Sequence, residues 1–174
     1  FATAFANEVK GDTFVRLPGA PAEILTNEAY GLELDGRYSH DSGFSLSVNA
    51  TIQETEITES AENEGNEAQR QPGWQVRVTP SYGFDIGDMF ATVYGTLSAV
   101  DDRFGNNENT VVLEGYEKVD VGLTLEPTDS LRLQFSVDNL TDEQGITEGD
   151  PRNPDSPNGR YIMPRSMKLS VSYL

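Results

Sequence analysis

The single histidine of the chain, His40, is followed directly by Asp41 and Ser42. Hydrolysis by a serine nucleophile needs an imidazole oriented to take its proton, so this triplet is the first to weigh. It lies between two alternating apolar runs, where His-Asp-Ser-Gly reads as a turn. One histidine also makes a two-histidine metal site unattainable. A second group, Asp101, Asp102, Asn106, Asn107 and Glu108, offers the oxygen donors that calcium takes. Its spacing does not match an EF-hand loop, and a solvated loop accounts for it. No glycine-rich phosphate cradle occurs, and the absence of cysteine removes disulfides and thiolate metal sites. The sequence therefore leads to no catalytic residue, no cofactor and no resident metal, and the expectation is a protein that is not an enzyme. What remains is binding. Arg103, Tyr116, Arg160 and Tyr161 fall where strands emerge into loops, and they are the candidate substrate contacts.

The elements that would carry these residues are strands. Period-two alternation recurs along the chain, whereas helical periodicity is almost absent. Met167, Leu169, Val171 and Tyr173 alternate with Ser166, Lys168, Ser170 and Ser172. The same pattern runs through Leu131–Val137, Val119–Leu125, Trp74–Phe84, Phe44–Ile52 and Tyr30–Tyr38. Eight antiparallel strands are expected near 1–9, 29–40, 44–53, 74–84, 90–100, 115–125, 131–140 and 166–174. The facing of the first and fifth is not fixed by their residues. A strand of about ten residues, tilted near 40°, covers roughly 25 Å, the apolar height of an outer-membrane barrel. Strands of soluble sheets are usually nearer to five or six residues.

The connections sort by length. Short turns at 40–43, 85–88 and 126–130 alternate strictly with long polar stretches at 10–28, 54–73, 101–115 and 141–165. Tight periplasmic turns and long extracellular loops give that asymmetry. The stretch 54–70 is acidic and of low complexity, which reads as a solvated, mobile loop. Leu32, Leu46, Val78, Val121, Leu133 and Val171 should face lipid, and Arg37, Gln53, Arg77, Asp120, Arg132 and Lys168 the lumen. Charges such as Glu33, Asp35 and Lys118 then pair across strands. The formal charge of −17 argues against a nucleic-acid partner, whose phosphates demand Lys and Arg. No run reaches the ~18 apolar residues that a transmembrane helix needs; the most apolar window, Met89–Val100, is interrupted by Thr92, Tyr94, Gly95, Thr96 and Ser98.

Several stretches resemble one family. NEAYGLELDGRYSHDSGFSLSVNAT is similar to the strand–turn–strand repeat of TonB-dependent outer-membrane receptors, and QPGWQVRVTPSYGF to their proline–aromatic strand. VVLEGYEKVDVGLTLEPTDSLRLQFSVDNLTDEQG resembles their penultimate hairpin, with an Asn-Leu-Thr-Asp stop, and GRYIMPRSMKLSVSYL the closing strand. The resemblance implies an all-β fold: an antiparallel transmembrane β-barrel segment, with residues 1–174 supplying about eight strands of a 22-stranded barrel. It implies location in the bacterial outer membrane and uptake of an iron chelate, cobalamin or a glycan. Its partners would be a TonB-type energy transducer reached through a plug domain, outer-membrane lipid and lipopolysaccharide, and the barrel assembly machinery engaged by the closing strand. These barrels usually end in an aromatic residue, whereas Leu174 falls on the lumen phase, so truncation at both ends is expected. Two competing readings are a complete small eight-stranded barrel with a structural or adhesion role, and an outer-membrane hydrolase. The small barrel requires residues 1–9 to pair with 166–174. The hydrolase would have only the isolated His40 to work with.

Overall fold

The structure, a computed structural model, describes residues 1–14, 22–149 and 159–173. It contains strands β1 (Ala2–Phe14), β2 (Glu23–Ser39), β3 (Phe44–Glu59), β4 (Trp74–Ile86), β5 (Met89–Val100), β6 (Arg103–Phe104), β7 (Val112–Leu113), β8 (Tyr116–Thr128), β9 (Leu131–Asp138), β10 (Ile146–Gly149), β11 (Gly159–Tyr161) and β12 (Ser166–Tyr173). Eight of them form one antiparallel sheet in the order β1-β2-β3-β4-β5-β8-β9-β12, while β6–β7 and β10–β11 are small pairs within loops. No helix occurs among the described residues.

Each expected strand is present, β4 and β8 run slightly past their expected ends to Ile86 and Thr128, and three strands run much further than their alternation announced. β1 reaches Phe14 across a bulge at Gly11, β2 starts at Glu23, and β3 continues to Glu59. Residues 54–59 are thus strand and not solvated loop, pairing Tyr30 with Glu54 and Glu28 with Glu56. Acidic residues hid this, because glutamates fill the outward positions where the lower strand carries leucine. With 16 residues, β3 is about 50 Å long and rises well beyond a hydrocarbon layer.

The register aligns apolar with apolar and polar with polar. On one face Leu32 opposes Ile52, Val48 opposes Val78, Val78 opposes Leu97, and Leu133 opposes Val171. On the other, Arg37 opposes Ser47, Asn49 opposes Arg77, Thr96 opposes Asp120, and Ser136 opposes Lys168. The apolar face has no protein layer over it: Leu32 is 59% exposed, Leu169 72% and Val171 65%. A soluble sandwich would bury that set; a wall facing lipid leaves it uncovered. Near the short turns the same face carries Tyr38 stacked beside His40 and Tyr82 beside Phe84, the aromatic girdle of a membrane interface.

Register also settles the two strands whose facing the residues left open. Ala2, Ala4 and Ala6 align with Leu34, Leu32 and Tyr30, so β1 turns its alanines to lipid and Phe5 to the lumen. In β5, Val93 and Leu97 face lipid, and Phe90, Tyr94 and Thr96 face the lumen. Both strands carry aromatic residues inward, which blurs an alternation read by hydropathy alone. The inward rings lie on glycines of the neighbouring strand: Phe5 on Gly31, Phe90 on Gly83 and Tyr94 on Gly122. A Cβ at Gly31 would sit 2.8 Å from Phe5, and one at Gly83 2.7 Å from Phe90, closer than packed carbons approach.

The turns are short for local reasons. Gly87, at φ 61°, supplies the positive φ that a two-residue hairpin between Ile86 and Met89 requires. Gly43, at φ 92°, closes the β2–β3 turn by donating its N–H to the His40 carbonyl at 3.0 Å. The Asn-Leu-Thr-Asp stop works through Asn139, which adopts φ 53° and is almost fully buried. Its side chain donates to the Glu143 and Met163 carbonyls and accepts from the Glu143 N–H, while its own N–H donates to Asp120. The left-handed turn ends β9, and the amide ties the strand end to the next loop.

Among the described residues β1 pairs only with β2 and β12 only with β9. The sheet is open, so the ladder that a complete eight-stranded barrel requires is lacking, and that reading is set aside. The expectation for Leu174 lies outside the described residues. If the face holding Leu97 meets lipid, Leu97→Arg in the full-length protein should lower unfolding stability in vesicles by about 2 kcal/mol. Ser98→Arg, on the lumen face, should stay within about 0.5 kcal/mol, and denaturant titration compares the two.

Candidate functional site

The lumen face combines paired and unpaired charges. Lys118 pairs with Asp120 at 2.9 Å, and Arg132 grips Glu126 through Nε at 2.9 Å and Nη2 at 2.6 Å. Asn49 donates to Asp35, and the Thr79 and Thr96 hydroxyls meet at 3.0 Å. Glu33, Arg37 and Arg77 have no ion-pair or hydrogen-bond partner among the described residues. A hollow of about 390 Å³ opens on this wall between Glu33, Asp35, Asn49 and Arg77. In an aqueous lumen such groups are solvated at little cost, and they remain available to whatever fills the barrel.

Above the wall, the connection after β3, that between β5 and β8, and that after β9 are bonded into one cap. Asn66 donates to the Asn107 carbonyl at 2.8 Å, and Asn109 both accepts from the Glu67 N–H and donates to its carbonyl. The Arg70 N–H donates to the Phe104 carbonyl at 2.6 Å. Asn106 locks the middle loop: its Oδ1 accepts from the Thr110 and Val111 N–H groups, and its Nδ2 donates to Glu108 and Thr110. The oxygen-rich group around residues 101–108 is therefore largely a buried turn, with Asn106 and Asn107 nearly inaccessible, and not a solvated loop. Leu25, Ile57 and Leu113 are buried in this region, the nearest thing to a hydrophobic core in the sheet.

The four candidate contacts occupy different environments. Arg103 is only 7% exposed; its Nη2 donates to the carbonyls of Ile146 and Thr147 at 2.8 and 2.9 Å, clamping the last loop to the middle one. Tyr116 is half-buried against Gly145. Arg160 and Tyr161 are exposed on the β10–β11 pair, where Arg160 meets Glu148 at 3.2 Å. Glu148 also holds Arg70 at 3.0 Å, so one carboxylate joins two loops. All four touch the segment Gly145–Glu148, but only Arg160 and Tyr161 present exposed side chains there. Sequence reading missed Arg70, Asn66 and Asn109, whose bonds to other loops reach partners far along the chain, Phe104, Asn107 and Glu67 among them. The Asn106–Thr110 spacing, typical of a side-chain-capped turn, was the one local signal available.

His40 sits in the periplasmic-side turn, its Nδ1 2.9 Å from the Ser42 hydroxyl. The Ser42 N–H also donates to that nitrogen, so the pair caps a turn. At the opposite end, partial burial, followed by the hydrogen bond and charge of Asp102, holds the Asp101 carboxyl above the usual range.

An open antiparallel sheet with one lipid face, one polar face, tight turns at one end and interlocked loops at the other is the wall of a membrane-spanning β-barrel. Residues 2–140 match the family described as TonB dependent receptor-like, beta-barrel, and the chain belongs to that family of bacterial outer-membrane proteins. It is 25% identical over 130 residues to the pesticin receptor of Yersinia enterocolitica, covering 70% of this chain and 18% of that protein. It is 27% identical over 150 residues to the ferrichrome receptor FcuA of the same organism, covering 82% and 19%. The crystal structure of the ferric yersiniabactin uptake receptor FyuA from Yersinia pestis superposes with a TM-score of 0.86 at 20% identity, covering 99% of this chain and 27% of that one. The chain thus spans less than a fifth of the length of these curated relatives.

Removing the Asn106 amide leaves two backbone N–H groups without their acceptor. In the full-length protein, Asn106→Ala should lower local protection of the Thr110 and Val111 amides by about 1–3 kcal/mol in hydrogen exchange, with strand amides unchanged. A carboxyl raised in the fold stabilises it when protonated, fully below the unfolded value of about 3.9, and loses that contribution as pH rises through the raised value. Loop protection around Asp101 should accordingly fall as pH is raised from about 4 toward neutrality, and Asp101→Asn should flatten that dependence.

Proposed function

We propose that the whole protein imports a ferric chelate of the siderophore class across the outer membrane, driven by a TonB-type transducer. In this reading, residues 1–174 are the C-terminal part of its barrel domain. The observation that carries the reading is the similarity of this barrel wall, in family and in fold, to receptors whose names specify ferrichrome and ferric yersiniabactin. The unpaired edges of β1 and β12 are where further strands would dock, since unsatisfied backbone groups are too costly to face hydrocarbon. The unpartnered Glu33, Arg37 and Arg77 suit contact with a plug domain, and the exposed Arg160 and Tyr161 suit a ligand entering from outside. Arg103 and Tyr116 serve in this scheme by holding the loops that present those side chains. Lipid and lipopolysaccharide would surround the apolar face, and β12 would be the strand that the assembly machinery engages. In this scheme the histidine–serine pair serves to cap a turn.

Expressed at full length in an iron-starved bacterium lacking its own receptors, the protein should support accumulation of radiolabelled iron from at least one ferric chelate. That accumulation should vanish when the TonB-type transducer is deleted. Equal accumulation with and without the transducer, or none from hydroxamate, catecholate or mixed-donor chelates, would overturn the proposal.

A further inference from the structure

Pro80 lies in the interior of β4, and β4 is a central strand of the sheet. Proline has no N–H, and within sheets it is as a rule confined to edges, strand starts and bulges. The register records the consequence. β4 pairs with β5 from Gln75↔Val100 to Val78↔Leu97 and again from Ser81↔Tyr94 to Ile86↔Met89, with no pair between. Opposite Pro80 in that register stands Gly95, whose carbonyl therefore has no ladder donor on β4. The neighbouring seams carry no such gap: β3–β4 pairs unbroken from Phe44↔Tyr82 to Ile52↔Trp74, and β5–β8 from Phe90↔Glu126 to Val100↔Tyr116. The gap falls between Trp74 and Tyr82, within the apolar band, where on the lipid side no water replaces a missing backbone partner. An alanine at position 80 would supply the donor, so the gap comes from this one residue and not from the topology.

A side-chain bond spans the gap: the Thr79 and Thr96 hydroxyls meet at 3.0 Å on the lumen face. On the lipid face Gly95 has no side chain to brace the proline ring. The same seam is pinned at both ends. Below, the two-residue turn at Gly87 holds Ile86 to Met89. Above, the loop that enters β4 and the loop that leaves β5 are joined through Asn66, Arg70 and Asn109. A seam fixed at its ends and one bond short in its middle yields by bowing and not by parting. On either side, the strands β1–β4 and the strands β5, β8, β9 and β12 pair unbroken at this height and move as two panels. We propose that the barrel wall flexes at the β4–β5 seam, with Pro80 and Gly95 as its hinge, and that passage of the cargo draws on this bowing to widen the lumen locally. The inference rests on the uptake reading above.

The test uses the full-length receptor, in outer-membrane vesicles for exchange and in an iron-starved bacterium for uptake. Hydrogen exchange read residue by residue should show the Val78, Gly95 and Leu97 amides opening about tenfold faster than those of Val48 and Val121 at the same height. Pro80→Ala restores the donor, and should erase that difference and slow uptake of radiolabelled ferric chelate. Thr79→Cys combined with Thr96→Cys places two thiols directly opposite across the gap, and their disulfide should slow uptake severalfold. Dithiothreitol should restore the rate, and neither single cysteine variant should respond to it. Equal exchange at the two sets of amides would overturn the hinge. Uptake at the wild-type rate in Pro80→Ala, or in the double variant with its disulfide verified by mass spectrometry, would overturn the role of the hinge in passage. Absence of uptake by the wild type would overturn the uptake reading, while the exchange comparison still decides whether the wall bends.

Discussion

In hydrocarbon a backbone N–H or C=O has no partner but another backbone group, and that requirement organises the chain. It forces lateral pairing of every strand within the bilayer and fixes register. Once register is fixed, the side of every residue follows from parity alone. The alignment of Leu32 with Ile52 and of Asn49 with Arg77 are two consequences of one ladder. So is the absence of a central core. The lipid face needs no protein cover, and the lumen face needs only water or a partner.

That requirement weakens beyond the bilayer, and the structure changes character there. Once β2 and β3 rise clear of the bilayer their pairing continues, but side chains begin to carry the cohesion that lipid supplied below. Ile57 and Leu25 are buried and asparagines bridge loop to loop. Arg103 stitches a distant loop through two carbonyls. Near the border between the two regimes, Asn27, Gln69 and Asn107 each keep one buried side-chain atom without a hydrogen-bond partner among the described residues.

Strand positions, turn positions and most of the facing were legible in the sequence, because period two and glycine-bearing turns are local signals. Facing failed for β1 and β5, since Phe5, Phe90 and Tyr94 point inward and only the glycines opposite explain why. Those partners lie on another strand, and a single strand cannot reveal them. The extension of β3 through Glu54–Glu59 was hidden by charge, which reads as loop although the alternation persists. The loop cap was the least legible. The bonds that join one loop to another reach far along the chain, and nothing near Arg70 or Asn66 in sequence announces a partner. Of the candidate contacts, Arg103 shows the limit most clearly: an arginine beside two aspartates reads as exposed, yet it is buried on backbone carbonyls.

The two kinds of bond in the cap respond differently to the surrounding medium. The connection between the loop after β3 and the loop between β5 and β8 is made by neutral amides and backbone groups, which dissolved electrolyte scarcely touches. The last loop is attached partly through Glu148, shared by Arg70 and Arg160 at partly exposed positions, and mobile ions screen such pairs. Rising salinity outside the cell would therefore slacken the last loop while the other two stay joined. At high salinity the buried Arg103 clamp would then be left as the main tie on the last loop.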